Sequence, residues 1–96
     1  MSKQPETTEF SHFTVLGDGI VGELQDGFVC PRGPAIMTMK TWALNADQSA
    51  DMLDVIGRQI GFEIIGDIKI FATEPEQAPS DKPFGYGINF TPYDYE

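Results

Sequence analysis

The last part of the chain alternates strictly between bulky apolar residues and small or polar ones. The bulky positions fall on every second residue, and glycine or polar residues occupy the positions between them. A period of two is typical of a β-strand with one buried face. We therefore predict a strand over 84–91 with a single aromatic face, formed by Phe84, Tyr86, Ile88 and Phe90.

Residues 62–72 show the same period, with the apolar residues at even positions. One alternative is a hairpin that turns at Gly66 and Asp67. That turn would place Ile64 opposite Lys69 and mix the two faces. A single strand, bulged at Gly66, keeps the faces separate and is the favoured interpretation.

A helix is predicted over about 46–60, because apolar residues recur there every three or four positions. Asn45 is a suitable N-cap residue, Gln48 follows at the spacing of a capping box, and Gly61 favours a left-handed stop. The predicted apolar stripe consists of Ala46, Ala50, Leu53, Ile56 or Gly57, and Ile60.

The pattern in the first half of the chain predicts short strands separated by turns. Gly17-Asp18-Gly19 is expected to break a strand, and Asp26-Gly27 is a typical two-residue hairpin turn. The strand candidates are 13–16, 20–24, 28–30 and 35–44. A loop is predicted over 73–83, since Pro75, Pro79 and Pro83 lack the amide hydrogen that regular structure needs.

This order of elements predicts an α+β fold. We expect one small domain over 10–96, preceded by a flexible arm over 1–9. Its antiparallel or mixed sheet would have about five or six strands, covered on one face by the helix.

Charge limits the partners more than any motif does. Fifteen acidic residues against six basic ones give a formal net charge of −9, which disfavours nucleic acid and anionic membranes and favours a basic protein. The helix would contribute an acidic steering face of Asp47, Asp51 and Asp54, with Arg58 paired to Asp54. The lone cysteine, Cys30, and the lack of a secretory signal predict a cytoplasmic protein.

Catalytic and cofactor signatures are weak. Gly17 to Gly22 match the glycine spacing of dinucleotide-binding turns, but the turn and proline that follow leave no room for the required helix. His12, the only histidine, is expected at the surface or on an edge strand, without the partners that catalysis or metal binding requires. We therefore predict no enzyme, no cofactor and no metal site.

The best binding candidates are aromatic and flexible apolar residues, which are either core or part of an interface or pocket. They are Trp42, Phe84, Tyr86, Ile88, Phe90, Met37 and Met39. So many aromatics in a small domain favour a homodimer or a higher homo-oligomer.

The leading functional hypothesis is a non-enzymatic interaction module that binds a protein partner, itself, or both. An inhibitor- or immunity-like bacterial accessory protein would have these properties. The alternative is a small-molecule-binding protein with an apolar, aromatic-lined pocket between helix and sheet.

Overall fold

Four strands and one helix make up the structure, a computed structural model that describes residues 10–93. The elements, in chain order, are β1 (Ser11–Val21), β2 (Gly33–Ala43), α1 (Ala46–Ile60), β3 (Phe62–Ala72) and β4 (Phe84–Pro92). The predicted arm over 1–9 lies outside the described residues.

The strands form one antiparallel sheet in the order β3-β1-β2-β4, and α1 packs on one of its faces. The α+β class and the single covering helix are therefore confirmed. The predicted five or six strands are too many, since residues 10–93 contain four. Within the same residues, no helix has the length and apolar character needed to cross a membrane.

The strand count is lower because Gly17 and Gly19 lie inside β1 instead of ending it. A Cβ at Gly17 would lie 2.9 Å from Cδ2 of Leu53, and one at Gly19 would collide with the carbonyl oxygen of Glu63. The two glycines thus allow close approach of the helix and of β3. The prediction of a break at this point was wrong.

The connection between β1 and β2 is an irregular loop over 22–32. Asp26 and Gly27 both have the positive φ expected of them, 60° and 81°. However, the last pair of the two strands is Val21 with Gly33, so these residues do not form a two-residue hairpin. The predicted strand over 28–30 is part of this loop, from which Phe28 packs against the core.

Residues 62–72 form one strand, as favoured. Opposite Asp18 of β1, β3 has three residues, 65–67, between the regular pairs on either side. Two extra residues are one full period of a strand, so the even-numbered side chains stay on the helix side before and after this irregularity.

A bulge in β4 has the opposite effect. Gly87 and Ile88 both lie opposite Met39 of β2, and Gly87 has a left-handed φ of 64°. One extra residue is half a period, so the side chains of β4 exchange faces at the bulge.

The aromatic row of β4 is therefore divided between the two faces of the sheet. Phe90 lies on the helix side, where its ring centroid is 5.5 Å from that of Phe62, and Ile88 packs against the same core. Phe84 and Tyr86 lie on the face away from α1, where their centroids are 5.8 Å apart. The prediction of a single aromatic face was wrong.

The ends of α1 follow the local sequence. Oδ1 of Asn45 accepts the amide of Gln48 at 2.8 Å, and Oε1 of Gln48 accepts the amide of Leu44 at 2.7 Å. Gly61 ends the helix with a φ of 119°. The predicted boundaries and both capping residues are confirmed.

The core lies between α1 and the sheet, and its buried apolar side chains come from all of the elements except β4. They are Val15, Val21, Ala35, Met37, Met39, Leu53, Ile60 and Phe62. The predicted stripe of α1 was wrong at its start, because Ala46 is exposed and Ser49 is buried. The hydroxyl of Ser49 is hydrogen-bonded to that of Thr41 at 2.7 Å, which satisfies both groups away from water.

Candidate functional site

The face of the sheet opposite α1, here called the outer face, carries four ring side chains at one end. They come from three adjacent strands, because His12 of β1 pairs with Trp42 of β2, and Trp42 pairs with Phe84 of β4. Tyr86 lies two residues further along β4, on the same face. We call His12, Trp42, Phe84 and Tyr86 the aromatic cluster.

The rings of the aromatic cluster are in mutual contact. The centroid of His12 lies 5.1 Å from that of Trp42, edge to face, and 5.7 Å from that of Tyr86. His12 is only 6% exposed and Trp42 only 8%. His12 and Trp42 are therefore buried although they lie on the face away from α1, whereas Phe84 and Tyr86 are half-buried.

His12 is fully hydrogen-bonded. Its Nδ1 lies 3.0 Å from the carbonyl oxygen of Thr73, and since a carbonyl only accepts, Nδ1 carries the proton. Nε2 is hydrogen-bonded to the phenol oxygen of Tyr86 at 2.6 Å. The same phenol oxygen accepts the amide of Glu76 at 2.9 Å. Both ring nitrogens of His12 are therefore hydrogen-bonded.

The expectation that His12 lies at the surface or on an edge strand was wrong. β1 is a central strand, and the sequence prediction started that strand one residue after His12. Extending the alternation of β1 back to residue 12 would have placed His12 on the face of the sheet opposite to the one on which Val15 is buried. Its partners Thr73 and Tyr86 have no local signal, because they are distant in the sequence.

The cover of the aromatic cluster is the segment 73–83, which we call the proline loop. The indole nitrogen of Trp42 donates to the carbonyl oxygen of Gln77 at 2.8 Å. Nζ of Lys40 lies 3.8 Å from Oε1 of Glu76, and this ion pair between a half-buried lysine and an exposed glutamate has a small net stability. The loop is thus held mainly by hydrogen bonds from its backbone to side chains of the sheet.

The seven predicted binding candidates do not form one site. Trp42, Phe84 and Tyr86 belong to the aromatic cluster. Met37 and Met39 are fully buried on the helix side, and Ile88 and Phe90 contact the same core. The sheet separates the two groups, so the structure does not form a pocket that joins Trp42 and Tyr86 to the methionines.

The predicted acidic residues lie on the side of α1 that faces away from the sheet. Asp47 and Asp51 are exposed, and Asp54 is half-buried. Arg58 donates to Asp54 at 3.0 Å, as the four-residue spacing predicted. Two carboxylates of this face therefore remain without a basic neighbour among the described residues.

The free edge of β4 is the second notable surface. Within residues 10–93, β3 and β4 are the outer strands of the sheet. Residues 83–93, which contain all of β4, have no charged side chain. This is the longest uncharged run of the chain. Within it, β4 pairs with β2 on one side and forms an outer edge of the described sheet on the other.

No set of three or more histidine, cysteine, aspartate or glutamate side chains within residues 10–93 is arranged to hold a metal ion. A comparison of the chain with protein-family models, with curated proteins and with solved structures finds no match. The function is therefore argued from the surfaces of the molecule.

Proposed function

We propose that this protein is a non-enzymatic interaction module that binds a second copy of itself through the edge of β4. The two β4 strands would pair antiparallel across a two-fold axis and continue the sheet from one protomer to the other. The observation that carries the proposal is the uncharged edge strand β4, Phe84–Pro92, in a chain with a net charge of −9. Backbone pairing at this edge brings no like charges together.

The opposite edge of the sheet is less suited to pairing. β3 carries the charged residues Glu63, Asp67 and Lys69, and its irregularity at 65–67 disturbs the ladder. Charged side chains and bulges are the usual means by which edge strands avoid association. β4 has a bulge at Gly87 but no charge, which leaves Ile88 to Pro92 as a regular segment for pairing.

The expected interface is small. Two paired strands of nine residues fall at the low end of specific interfaces, below about 1,200 Å² in total. We therefore expect a weak dimer, with a dissociation constant in the micromolar range or above.

Two features support an interaction module over an enzyme or a small-molecule carrier. The imidazole of His12 and the phenol of Tyr86 are occupied by each other and by the proline loop, so neither is placed to act on a substrate. The space between helix and sheet is filled by Met37, Met39 and Leu53, all fully buried. The acidic face of α1 would additionally favour the approach of a basic protein partner.

Sedimentation velocity over a series from micromolar to millimolar protein tests the proposal. We expect the average mass to rise from the monomer value of 10.6 kDa towards that of a dimer. Asn89→Glu adds a negative charge to an exposed position of β4 and should hold the protein monomeric. Ile65→Glu, at a position of β3 that is 64% exposed, is the matched control and should leave association unchanged. A monomer at every concentration, or equal effects of the two substitutions, would overturn the proposal.

A further inference from the structure

The proline loop contacts the aromatic cluster as a bound peptide contacts a recognition site. Side chains of the sheet bind backbone groups of two consecutive loop residues. The phenol oxygen of Tyr86 accepts the amide of Glu76, and the indole of Trp42 donates to the carbonyl of Gln77. Binding of backbone groups by aromatic residues with polar ends is a recurrent mode of recognition for extended, proline-containing segments.

The proline loop resembles a bound peptide more than a structural element, because it is exposed, irregular and held at few points. Its residues from Thr73 to Lys82 are all exposed and contain no helix or strand. Three prolines, at 75, 79 and 83, restrict its conformations before it docks, so docking orders fewer degrees of freedom. Few of its side chains contribute to the core, and it is held at a small number of points.

Charge adds specificity to this contact. Lys40 is the basic side chain of the sheet next to the docked segment, and it pairs with Glu76, directly after Pro75. A segment with proline followed by an acidic residue fits both the aromatic surface and the lysine. A basic side chain at the position of Glu76 would face Lys40 instead.

We propose that the aromatic cluster and Lys40 form a recognition site for an extended, acidic, proline-containing peptide segment, and that the proline loop occupies this site in cis. A partner protein with such a segment binds when the loop is released. This site recognises a peptide through aromatic side chains and Lys40, whereas the β4 edge would pair with a strand through its backbone. The inference therefore goes beyond the proposed self-association.

When the proline loop occupies the site, the apparent affinity of the protein for an added peptide falls. A site that is free for a tenth of the time or less weakens the apparent affinity for an added peptide by at least about tenfold. Removing the loop removes this competition, because the tethered segment acts at a high effective concentration.

The test uses a peptide with the sequence of residues 73–80 and a full-length variant whose residues 74–82 are replaced by a glycine–serine linker of equal length. Thr73 is kept, since it contacts His12. Fluorescence of Trp42, the only tryptophan, reports binding. We expect saturable binding to the linker variant, with at least about tenfold weaker binding to the wild type, and weaker binding of a peptide with lysine in place of Glu76. A folded linker variant without a saturable response, or equal affinity for the two proteins, would overturn the proposal.

A pair of single substitutions keeps the test decisive if the linker variant does not fold. Glu76→Lys loosens the loop at Lys40, whereas Glu74→Lys makes the same change at a position without an ion pair among the described residues. We expect the unmodified peptide to bind the Glu76→Lys protein about two- to fivefold more tightly than the Glu74→Lys protein, as the loss of a partly exposed ion pair implies. Equal affinities would count against a cis-occupied site. The measurement is made at low protein concentration, so its outcome does not depend on dimer formation through β4.

Discussion

The phenol oxygen of Tyr86 lies 2.6 Å from Nε2 of His12, which joins the edge strand β4 to the central strand β1 across the intervening strand β2. The same oxygen accepts the amide of Glu76 from the proline loop. The hydroxyl group of Tyr86 thus connects β4, β1 and the proline loop.

The first prediction follows from this hydroxyl. Tyr86→Phe leaves Nε2 of the buried His12 without its hydrogen-bond partner, and we expect the free energy of unfolding to fall by about 1–3 kcal/mol. Tyr93→Phe is the matched control, since the hydroxyl of Tyr93 donates to Asp18 at a position that is 42% exposed, where water can replace it. Urea unfolding compares the two. Equal losses of unfolding free energy in the two variants would show that the hydrogen bond to His12 stabilises the protein no more than an exposed one does.

The second prediction concerns the buried contact between the helix and β2. Ser49→Ala leaves the hydroxyl of Thr41 without this partner and should lower the free energy of unfolding by about 1–3 kcal/mol. Adding Thr41→Val removes the second hydroxyl while keeping the shape of the side chain. We expect the double variant to recover part of the loss, because no buried group is then left unpaired. A double-mutant cycle measures the coupling, and strictly additive losses would contradict the prediction.

The third prediction tests the two faces of α1. Leu53→Ala creates a cavity in the core and should cost about 2–5 kcal/mol. Asp51→Ala removes an exposed charge and should cost well below about 1 kcal/mol. Thermal or urea unfolding of both variants provides the comparison. Losses of similar size would mean that the buried face of the helix differs from the one described.

The fourth prediction concerns the bulge at Gly87. Its φ of 64° is strained for residues with a Cβ, so Gly87→Ala should cost about 1–2 kcal/mol. Gly87→Asn is the informative comparison, because asparagine tolerates the left-handed region better than alanine does. We expect the asparagine variant to be the more stable of the two in urea unfolding. The reverse order would indicate that the bulge is absent.

The fifth prediction concerns partners. With a net charge of −9, the protein should show no measurable binding to duplex DNA at physiological salt, since it has no run of basic residues to replace phosphate counterions. Fluorescence anisotropy of a labelled duplex measures this. Saturable binding that weakens as salt is added would contradict it.

Some elements were determined by the sequence alone. The helix 46–60 depends on neighbours three or four residues apart, and its start at Asn45 and stop at Gly61 depend on single residues, so it was predictable with its boundaries. The single strand over 62–72 followed from the parity of its apolar residues, because only a continuous strand keeps them on one side of the sheet.

The faces of the sheet were decided by tertiary structure. Gly17 and Gly19 read as turn residues in the sequence, but they remain in β1 because neighbouring elements approach too closely for a side chain. The alternation of β4 was correct on each side of Gly87, yet pairing with β2 inserted one residue there and moved Phe84 and Tyr86 to the outer face. His12 became buried because a loop more than sixty positions away docks on it. In each case the deciding contact joins residues that are far apart in the chain, and a local pattern contains no information about which distant residue fills the space beside it.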